Sequence, residues 1–280
     1  MAPLTAISED IYDRLRLIIC SDQRRVLLLS LNREKKPLSD LRDEVQLDSA
    51  TIIHSLRALE RDNLVREDAY RNYSLTAIGK AAVHKLIDFF ETTGAFVKYE
   101  TFWLEHDLSG IPAPLFNRIG ALRDSTLVVD TQLDPLKAYH SLVALLEKSP
   151  TVELIASVSA PDPHTLFDEF VLGHKHMEVI MTEPVLHHVI EELGQVRVEE
   201  ARRAGHKLYV LRHDPKLVFA VADPVIVLLL YHLAGGFDYS AALTSENPEA
   251  IAWGHDLFRH YVDLSESVAT RDFVTHARTS

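Results

Sequence analysis

The chain has 280 residues, of which 47% are hydrophobic, so it is long and apolar enough for two domains with separate cores. Its single cysteine, Cys20, excludes an internal disulfide and any metal site built from several thiolates. The formal net charge of −12 excludes a uniformly basic surface for nucleic acid. Residues 1–98 nevertheless carry 15 of the 29 Lys and Arg residues and only 15 of the 41 Asp and Glu residues, so the acidic excess lies in the second half.

Membrane and export signals are not evident. The longest apolar run, residues 224–231, has the length of a strand and falls short of the roughly 20 residues that a membrane span needs. The first ten residues lack the basic and then apolar pattern of a signal peptide. We therefore expect a cytoplasmic protein.

Residues 8–32 predict two helices. Apolar positions that recur at helical spacing define one face of the first helix: Ile11, Leu15, Ile18 and Ile19. Ser21 or Asp22 is expected to cap the second helix. The basic residues around it, Arg24, Arg25, Arg33, Lys35 and Lys36, fit either a solvated face or contact with DNA phosphates.

Residues 37–75 predict a helix, a tight turn, a second helix and a two-stranded wing. Ser39 is expected to cap the short helix, which ends at Val45, and Gln46 and Leu47 form the turn. Asp48 is expected to cap the longer helix, whose buried stripe is Ile52, Leu56 and Leu59. Residues 64–66 and 73–75 then read as short strands around a polar tip.

The outward face of the longer helix carries small, hydrogen-bonding and cationic side chains. Such residues suit contact with base edges in the major groove and with flanking phosphates. The candidate DNA-binding residues are Ser49, Thr51, Ile53, His54 and Arg57 on the helix and Arg71 at the wing tip.

The order of these parts, followed by the run LTAIGKA at residues 75–81, resembles winged-helix regulators of the arsenic-repressor and multiple-antibiotic-resistance type, especially those of archaea. The resemblance implies binding to double-stranded DNA as a homodimer. Residues 76–106 predict a long helix that begins at the cap Thr76, with an apolar face of Ile78, Ala82, Leu86, Phe89 and Phe90. Its aromatic continuation to Trp103 fits packing on a second domain, a dimer seam, or both.

A second resemblance lies in residues 102–122, FWLEHDLSGIPAPLFNRIGAL. The run is similar to the opening of the effector domain that follows winged helices in methanogenesis-regulator-type transcription factors of archaea. His106, Asp107, Ser109 and Arg118 are its polar residues, and they suit either a ligand or the hinge between the domains. Residues 110–112 are expected to break the helix before a new one begins near Pro114.

The second half alternates strands with helices that follow a proline. Strands are predicted at residues 127–129, 152–158 and 177–181, and helices are predicted to open at Asp134-Pro135, at Asp162-Pro163 (to about Leu172) and at Thr182-Glu183-Pro184. This alternation of strands and helices favours a parallel sheet. Strands at 206–211, 217–221 and 225–230 are expected to form antiparallel hairpins. A final helix covers 248 to about 268, and residues 271–280 read as a frayed tail.

The sequence shows none of the common catalytic or cofactor-binding motifs. There is no phosphate-binding loop, dinucleotide fingerprint or nucleophile elbow, and the closest histidine pairs, His174/His176 and His187/His188, fit a surface role better than a metal site. We expect no cofactor and no metal. Residues at predicted carboxyl ends of strands are candidate effector contacts or simple helix caps: Asp130, Thr131, Ser157, Ser159, Thr182 and Glu183.

The sequence thus predicts an α+β protein of several domains. These are a winged helix at 1–75, a connecting and dimerisation helix at 76–110 and an α/β effector domain at 111–280. The expected function is that of a homodimeric, sequence-specific transcriptional regulator, not an enzyme, with a C-terminal domain that senses a small molecule. The alternatives are an α/β enzyme tethered by its winged helix, with Asp130, Ser157 and Glu183 as catalytic residues, and a protein-interaction module of the transcription machinery.

Overall fold

The computed structural model describes residues 9–164, 167 and 176–268. The chain forms two compact units, Met1–Phe90 and Glu91–Ser280, and the boundary between them falls inside a long helix. The helix predicted from Asp162 to Leu172 and the tail at 271–280 lie wholly or partly outside the described residues. Across the described ranges, no helix combines the length and the apolarity that crossing a membrane requires.

The first unit is mainly helical and has the predicted order of a short helix, a longer helix and a two-stranded hairpin. Its helices are α1 (Glu9–Ile19), α2 (Asp22–Arg33), α3 (Leu38–Val45), α4 (Ser49–Arg61) and the first part of α5 (Ala77–Lys98). Its strands are β1 (Lys36–Pro37), β2 (Val65–Glu67) and β3 (Asn72–Leu75), in the sheet order β1-β3-β2. The strand β1 was not predicted, because a two-residue segment with proline shows no alternation of apolar and polar side chains.

The core of the first unit forms around α4. Ile52, Leu56 and Leu59 are at most 1% exposed, which confirms the predicted stripe. Each such side chain contributes about 1.5–3 kcal/mol by its removal from water. Leu27, Leu28, Leu41, Leu64 and Val83 from the other elements complete this core.

Three of the four predicted caps in this unit are confirmed. At the start of α2, the Ser21 hydroxyl accepts a hydrogen bond from the Arg24 N–H at 3.5 Å. Asp48 accepts a hydrogen bond from the backbone N–H of Thr51, at 2.9 Å, and Thr76 accepts one from that of Gly79, at 3.0 Å. The Ser39 cap is wrong, because α3 begins at Leu38, directly after Pro37, whose extended backbone already sets the helix start. The Ser39 hydroxyl donates to Asp40 instead.

The predicted long helix of residues 76–106 is broken at Tyr99. The chain ends α5 at Lys98 and resumes in α6 (Glu100–Glu105). The predicted apolar face of α5 is only partly right, because the buried stripe centres on Val83 and Leu86, and Ile78 and Phe89 are 52% and 58% exposed. At about 100° per residue, Ile78 and Phe89 lie roughly a quarter turn from that centre.

The second unit is built on an eight-stranded mixed sheet in the order β11-β7-β6-β5-β8-β9-β10-β4. The strands are β4 (Thr126–Val129), β5 (Thr151–Ala156), β6 (His176–Thr182), β7 (Lys207–Leu211), β8 (Leu217–Ala222), β9 (Val225–Leu230), β10 (Ala241–Ser245) and β11 (Glu266–Ser267). The helices after α6 are α7 (Ala113–Phe116), α8 (Lys137–Lys148), α9 (Glu183–Leu193), α10 (Gln195–Arg203) and α11 (Pro248–Asp263), with a 3₁₀ turn at Ile119–Leu122.

The pairing of strands corrects two predictions. The strands β5 and β6 are parallel and β8 and β9 form an antiparallel hairpin, both as expected. The strand β7 pairs in parallel with β6, because α9 and α10 supply the long crossover that a parallel pair needs. The strand β4 lies at the sheet edge, antiparallel to β10, since the hairpin β8–β9 and β10 separate it from β5.

Both faces of the central strands are buried, which explains their nearly continuous apolar sequences. On one face, Phe219 and Leu228 pack with Trp253 and Leu257 of α11. On the other face, Ala220 and Leu229 belong to a cluster with Ala138 and Leu142 of α8. The predicted final helix corresponds to α11 and is confirmed, although it ends at Asp263, earlier than expected.

Candidate nucleic-acid interface and ligand chamber

The outward face of α4 is a stripe with helical spacing. Ala50, His54, Arg57 and Arg61 are exposed, and they follow one another at i, i+4, i+7 and i+11. Two of them, His54 and Arg57, were predicted contacts. Ala50 and Arg61 were missed, although the same spacing, continued in both directions, contained the signal.

The other predicted contacts on α4 are half-buried beside this stripe. Ser49, Thr51 and Ile53 each keep only part of their surface exposed. The Thr51 hydroxyl donates to Asp48 Oδ2 at 2.5 Å, so it belongs to the helix cap. The hydrogen bonds from the Thr51 hydroxyl and backbone N–H lower the pKa of Asp48, which keeps this carboxylate ionised at the helix start.

Arg57 differs from Arg42 and Arg14, two other arginines of the first unit, in its electrostatic setting. Arg42 lies 3.1 Å from Asp43, and Arg14 lies 3.7 Å from Asp62. Within the part of the chain that the structure describes, the side chains of His54 and Arg57 form no hydrogen bond or ion pair. The guanidinium of Arg57 is therefore available to a bidentate acceptor such as guanine or phosphate.

The wing tip is a tight turn organised by Asp68. Its Oδ1 accepts hydrogen bonds from the backbone N–H groups of Tyr70 and Asn72, each at 2.9 Å, and these bonds lower the pKa of the carboxyl. The turn presents Tyr70, 85% exposed, and Arg71, whose Nε lies 3.9 Å from Glu67. The acidic neighbours reduce the positive potential of the wing, and Tyr70 was not among the predicted contacts.

An apolar stripe lies exposed on α1. Ile11, Tyr12, Leu15 and Ile19 are between 42% and 50% exposed, whereas Ile18 is 7% exposed and faces the core. The predicted stripe thus divides into one residue that packs inside the unit and several that remain on its surface. Four large apolar side chains on one helix face are typical of an interaction surface.

The second unit contains an apolar chamber of about 150 Å³. It lies between the sheet and α9, with Met177, Val179 and Met181 of β6 and Val185 and Val189 of α9 in its wall. Aromatic side chains also line it, namely Tyr139, Phe167, Phe237 and Tyr239. Ser159 and His206 are among the few polar lining residues, and the Nδ1 atom of His206 already accepts the Met177 N–H at 3.1 Å.

Of the six predicted effector contacts, only Ser159 lines the chamber. Asp130 accepts the Ala138 N–H at 2.9 Å near the start of α8, and the Ser157 hydroxyl donates to the Leu217 carbonyl at 2.7 Å. Thr131 accepts the Asp134 N–H, Thr182 is buried at the start of α9, and Glu183 is exposed. Ligand contact by these residues stays a prediction.

The helix start predicted at Asp134-Pro135 is wrong. The structure begins α8 at Lys137, because residues 131 and 134 close a turn through reciprocal backbone hydrogen bonds before the helix. Asp130, four positions earlier than Asp134, supplies the carboxylate that accepts a helical N–H.

The polar residues of the 102–122 run divide into different roles. Asp107 accepts the Ser109 N–H at 2.9 Å, and the hydrogen bonds from Ser109 lower the pKa of Asp107. Arg118 donates to Asp256 of α11 at 2.7 Å. These contacts stabilise the second unit internally, while His106 belongs to a buried polar cluster.

Comparison with known proteins finds one matching family model in each half of the chain. The model described as "Methanogenesis regulatory protein FilR1, N-terminal domain" matches residues 12–92, and the one described as "Methanogenesis regulatory protein FilR1, middle domain" matches residues 135–264. The methanogenesis regulatory protein FilR1 of Methanothrix harundinacea (strain 6Ac) is 25% identical over 276 residues. These residues cover 97% of this chain and 61% of that protein, so the chain spans less than two thirds of its relative.

Solved structures are more distant. TrmBL2, described as an archaeal chromatin protein with a novel mode of DNA binding, has 13% sequence identity and a TM-score of 0.40 over 93% of this chain and all of its own. Pseudomonas aeruginosa HmgR has 15% identity and a TM-score of 0.25, over 85% of this chain and 93% of its own.

Proposed function

We propose that the chain, whose two halves are similar to methanogenesis regulatory proteins of the FilR1 type, is a DNA-binding transcriptional regulator in which α4 recognises operator DNA. The observation that carries the proposal is the exposed stripe of α4, on which Arg57 and His54 have no partner among the described side chains. Arg57 reads a base edge, and His54 contacts a neighbouring base or phosphate. Arg61 and Arg71 contact phosphates, and Ser49, Thr51 and Ile53 line the edge of the interface.

The proposal includes a homodimer. Two exposed apolar surfaces of the first unit suit contact with a second copy: the stripe of α1 formed by Ile11, Tyr12, Leu15 and Ile19, and the side chains of Ile78, Phe89 and Phe90 on the predicted dimerisation helix α5. A twofold dimer presents two recognition helices to half-sites about one DNA turn apart, which doubles the length of sequence that is read.

The proposal also assigns effector sensing to the second unit. A wall of aliphatic, methionine and aromatic side chains favours a small apolar molecule, or the apolar part of an amphipathic one. Such a ligand regulates DNA binding only if its affinity differs between two states of the protein. Ser159, at the chamber wall, is the predicted contact best placed to orient a polar end group.

A tethered enzyme is the alternative in a different class. It requires Asp130, Ser157 and Glu183 to act together, and two of these have structural roles: Asp130 accepts a helical N–H and Ser157 donates to a strand carbonyl. We therefore propose regulation without catalysis. A protein that binds operator DNA in an archaeal cell works in the cytoplasm, and the proposal extends to that location.

The test is fluorescence-anisotropy binding to the DNA upstream of its own gene and to a random duplex of equal length, across a series of salt concentrations. The proposal expects a preference of about 1,000-fold or more for the upstream DNA, with affinity for both duplexes falling steeply as salt rises. Equal and weak binding to both duplexes would favour the protein-interaction module instead.

A further inference from the structure

Two imidazoles and a carboxylate converge in the second unit. His106 follows α6, while His232 and Asp238 bracket the loop after β9. Backbone hydrogen bonds hold the two segments together: the Asp107 N–H donates to the Tyr231 carbonyl at 2.7 Å, and the Leu233 N–H donates to the Glu105 carbonyl at 2.8 Å. The three side chains are therefore positioned by the backbone on both sides.

The ligand atoms have the spacing of a metal site. His106 Nε2 lies 3.0 Å and His232 Nε2 lies 3.6 Å from the same oxygen, Asp238 Oδ2, and one ligand atom from each residue lies within 4.8 Å of the others. Bonds of roughly 2.0–2.1 Å to a tetrahedral ion put its ligands about 3.3 Å apart. A small shift of the exposed His232 ring therefore suffices to close the site.

Outer hydrogen bonds aim the ligand atoms inward. The Nδ1 of His106 lies 2.6 Å from the Phe102 carbonyl, to which it can only donate, so Nε2 is the ring nitrogen that faces Asp238 and is available to a cation. The other oxygen of Asp238, Oδ1, accepts hydrogen bonds from the Ser240 N–H at 2.8 Å and the Ser240 hydroxyl at 2.6 Å. A ligating histidine typically has such a second partner.

A simple hydrogen bond accounts for only part of this arrangement. It explains the 3.0 Å contact between His106 and Asp238, but the 3.6 Å separation of His232 from the same oxygen is too long for one. The rings of His106 and His232 stack at 4.8 Å, with both Nε2 atoms near that oxygen. A cation shared by the three groups uses the lone pairs of all of them.

We propose that His106, His232 and Asp238 bind a divalent transition-metal ion of the zinc, cobalt and nickel class. Imidazole nitrogen selects these ions over magnesium and calcium, which prefer oxygen ligands. The side chains of His106 and Asp238 are 3% and 7% exposed, whereas that of His232 is 42% exposed and leaves a route for the ion. Three protein ligands leave a coordination position open for water or an anion.

The test is a Co²⁺ titration of the full chain after treatment with a chelator, followed by visible absorption and by thermal unfolding. The wild type is expected to bind about one Co²⁺ per chain with the absorption of a tetrahedral site, and to unfold at a higher temperature when loaded. His232→Ala is expected to weaken binding by at least about 10-fold, as loss of even an outer partner does. Its exposed position favours normal folding, which tryptophan fluorescence checks.

The matched control is His140→Ala. His140 forms another histidine and carboxylate pair, with Nδ1 at 3.1 Å from Asp134, but both side chains are exposed and no second histidine among the described residues joins them. This variant is expected to bind Co²⁺ like the wild type. No tetrahedral Co²⁺ spectrum in the wild type, equal uptake by His232→Ala, or an equal loss in His140→Ala would overturn the proposal.

Discussion

The two units place their candidate functional surfaces in opposite environments. In the first unit, the surface is the exposed face of α4, whose other side supplies the centre of the core. In the second unit, it is a chamber between the sheet and α9, enclosed by side chains from distant parts of the chain. The charges differ as well, since the sequence is balanced over residues 1–98 and acidic over 99–280. An open polar face suits DNA, and an apolar interior suits a small molecule.

The largest expected effect is on the stability of the first unit, and it tests whether α4 needs the core behind it to stay folded. Leu56→Ala removes a side chain that is 1% exposed, so it is expected to destabilise the first unit by about 2–5 kcal/mol. Chemical denaturation, followed by circular dichroism and operator binding, measures the loss. Tyr70→Ala, at an 85% exposed position, is the control and should change stability by less than about 0.5 kcal/mol. Equal effects would contradict the assigned core.

The next prediction tests whether a cation on the exposed face of α4 contributes more to DNA affinity than a cation elsewhere on the surface. Arg57→Ala is expected to weaken operator binding by about 1–3 kcal/mol and to relax the preference for operator over random DNA, because a base contact is lost. Lys85→Ala removes the same charge from an exposed site on α5 that pairs with Asp88. Anisotropy titrations should show little change for this control; equal losses in both variants would reject a specific role for Arg57.

The chamber is tested by filling it. Val189→Trp introduces a large side chain into the wall formed by α9 and is expected to weaken binding of the apolar dye 1-anilinonaphthalene-8-sulfonate by about 10-fold or more. Val196→Trp adds the same group at a 71% exposed position on α10, away from the lining residues. Fluorescence titration compares the two. Unchanged dye binding in Val189→Trp would exclude the chamber as its site.

A smaller effect concerns the stability of the second unit at alkaline pH. Burial raises the pKa of Tyr261 from 10.0 to about 12, and its hydroxyl donates to the Gly110 carbonyl at 2.6 Å. A raised pKa in the folded state means that stability is fully present below pH 10 and falls as pH rises toward 12. Tyr261→Phe should flatten this decline and cost about 0.5–1.5 kcal/mol at neutral pH. If denaturation curves show that the stability of Tyr261→Phe falls with pH as steeply as that of the wild type, then other ionisable groups cause the decline.

The smallest effect concerns the wing. Arg71 is exposed beside Glu67, so Arg71→Ala is expected to weaken binding by less than about 1 kcal/mol, equally for operator and random DNA, and to reduce the salt slope by about one. The salt series of the anisotropy assay measures both. A loss confined to the operator would instead give Arg71 a role in reading sequence.

The sequence predicted the first unit well because its signals are local. Asp48 caps α4 and Ile52, Leu56 and Leu59 are buried as predicted, since helical spacing determines which side chains face inward. The errors arose where several residues within a short stretch could each cap the start of a helix. Pro37, and not Ser39, occupies the cap position of α3, and Asp130 accepts a helical N–H in place of Asp134.

The second unit was harder to predict because its pairings are not local. The strand β4 joins β10, more than 100 residues later, and a two-residue strand such as β11 has no recognisable pattern. The cluster of His106 and Asp238 spans 132 positions, whereas the search for metal ligands considered histidines close in sequence. The chamber was missed because aliphatic and methionine residues in strands indicate a core equally well.

The most direct test of the central claim is selection of bound sequences from a random duplex library with the 280-residue chain. A homodimer that reads DNA through α4 predicts enrichment of an inverted repeat with half-sites separated by about 10 base pairs, and loss of that enrichment in Arg57→Ala. Binding without an enriched sequence, or the same enriched repeat with Arg57→Ala, would contradict the account.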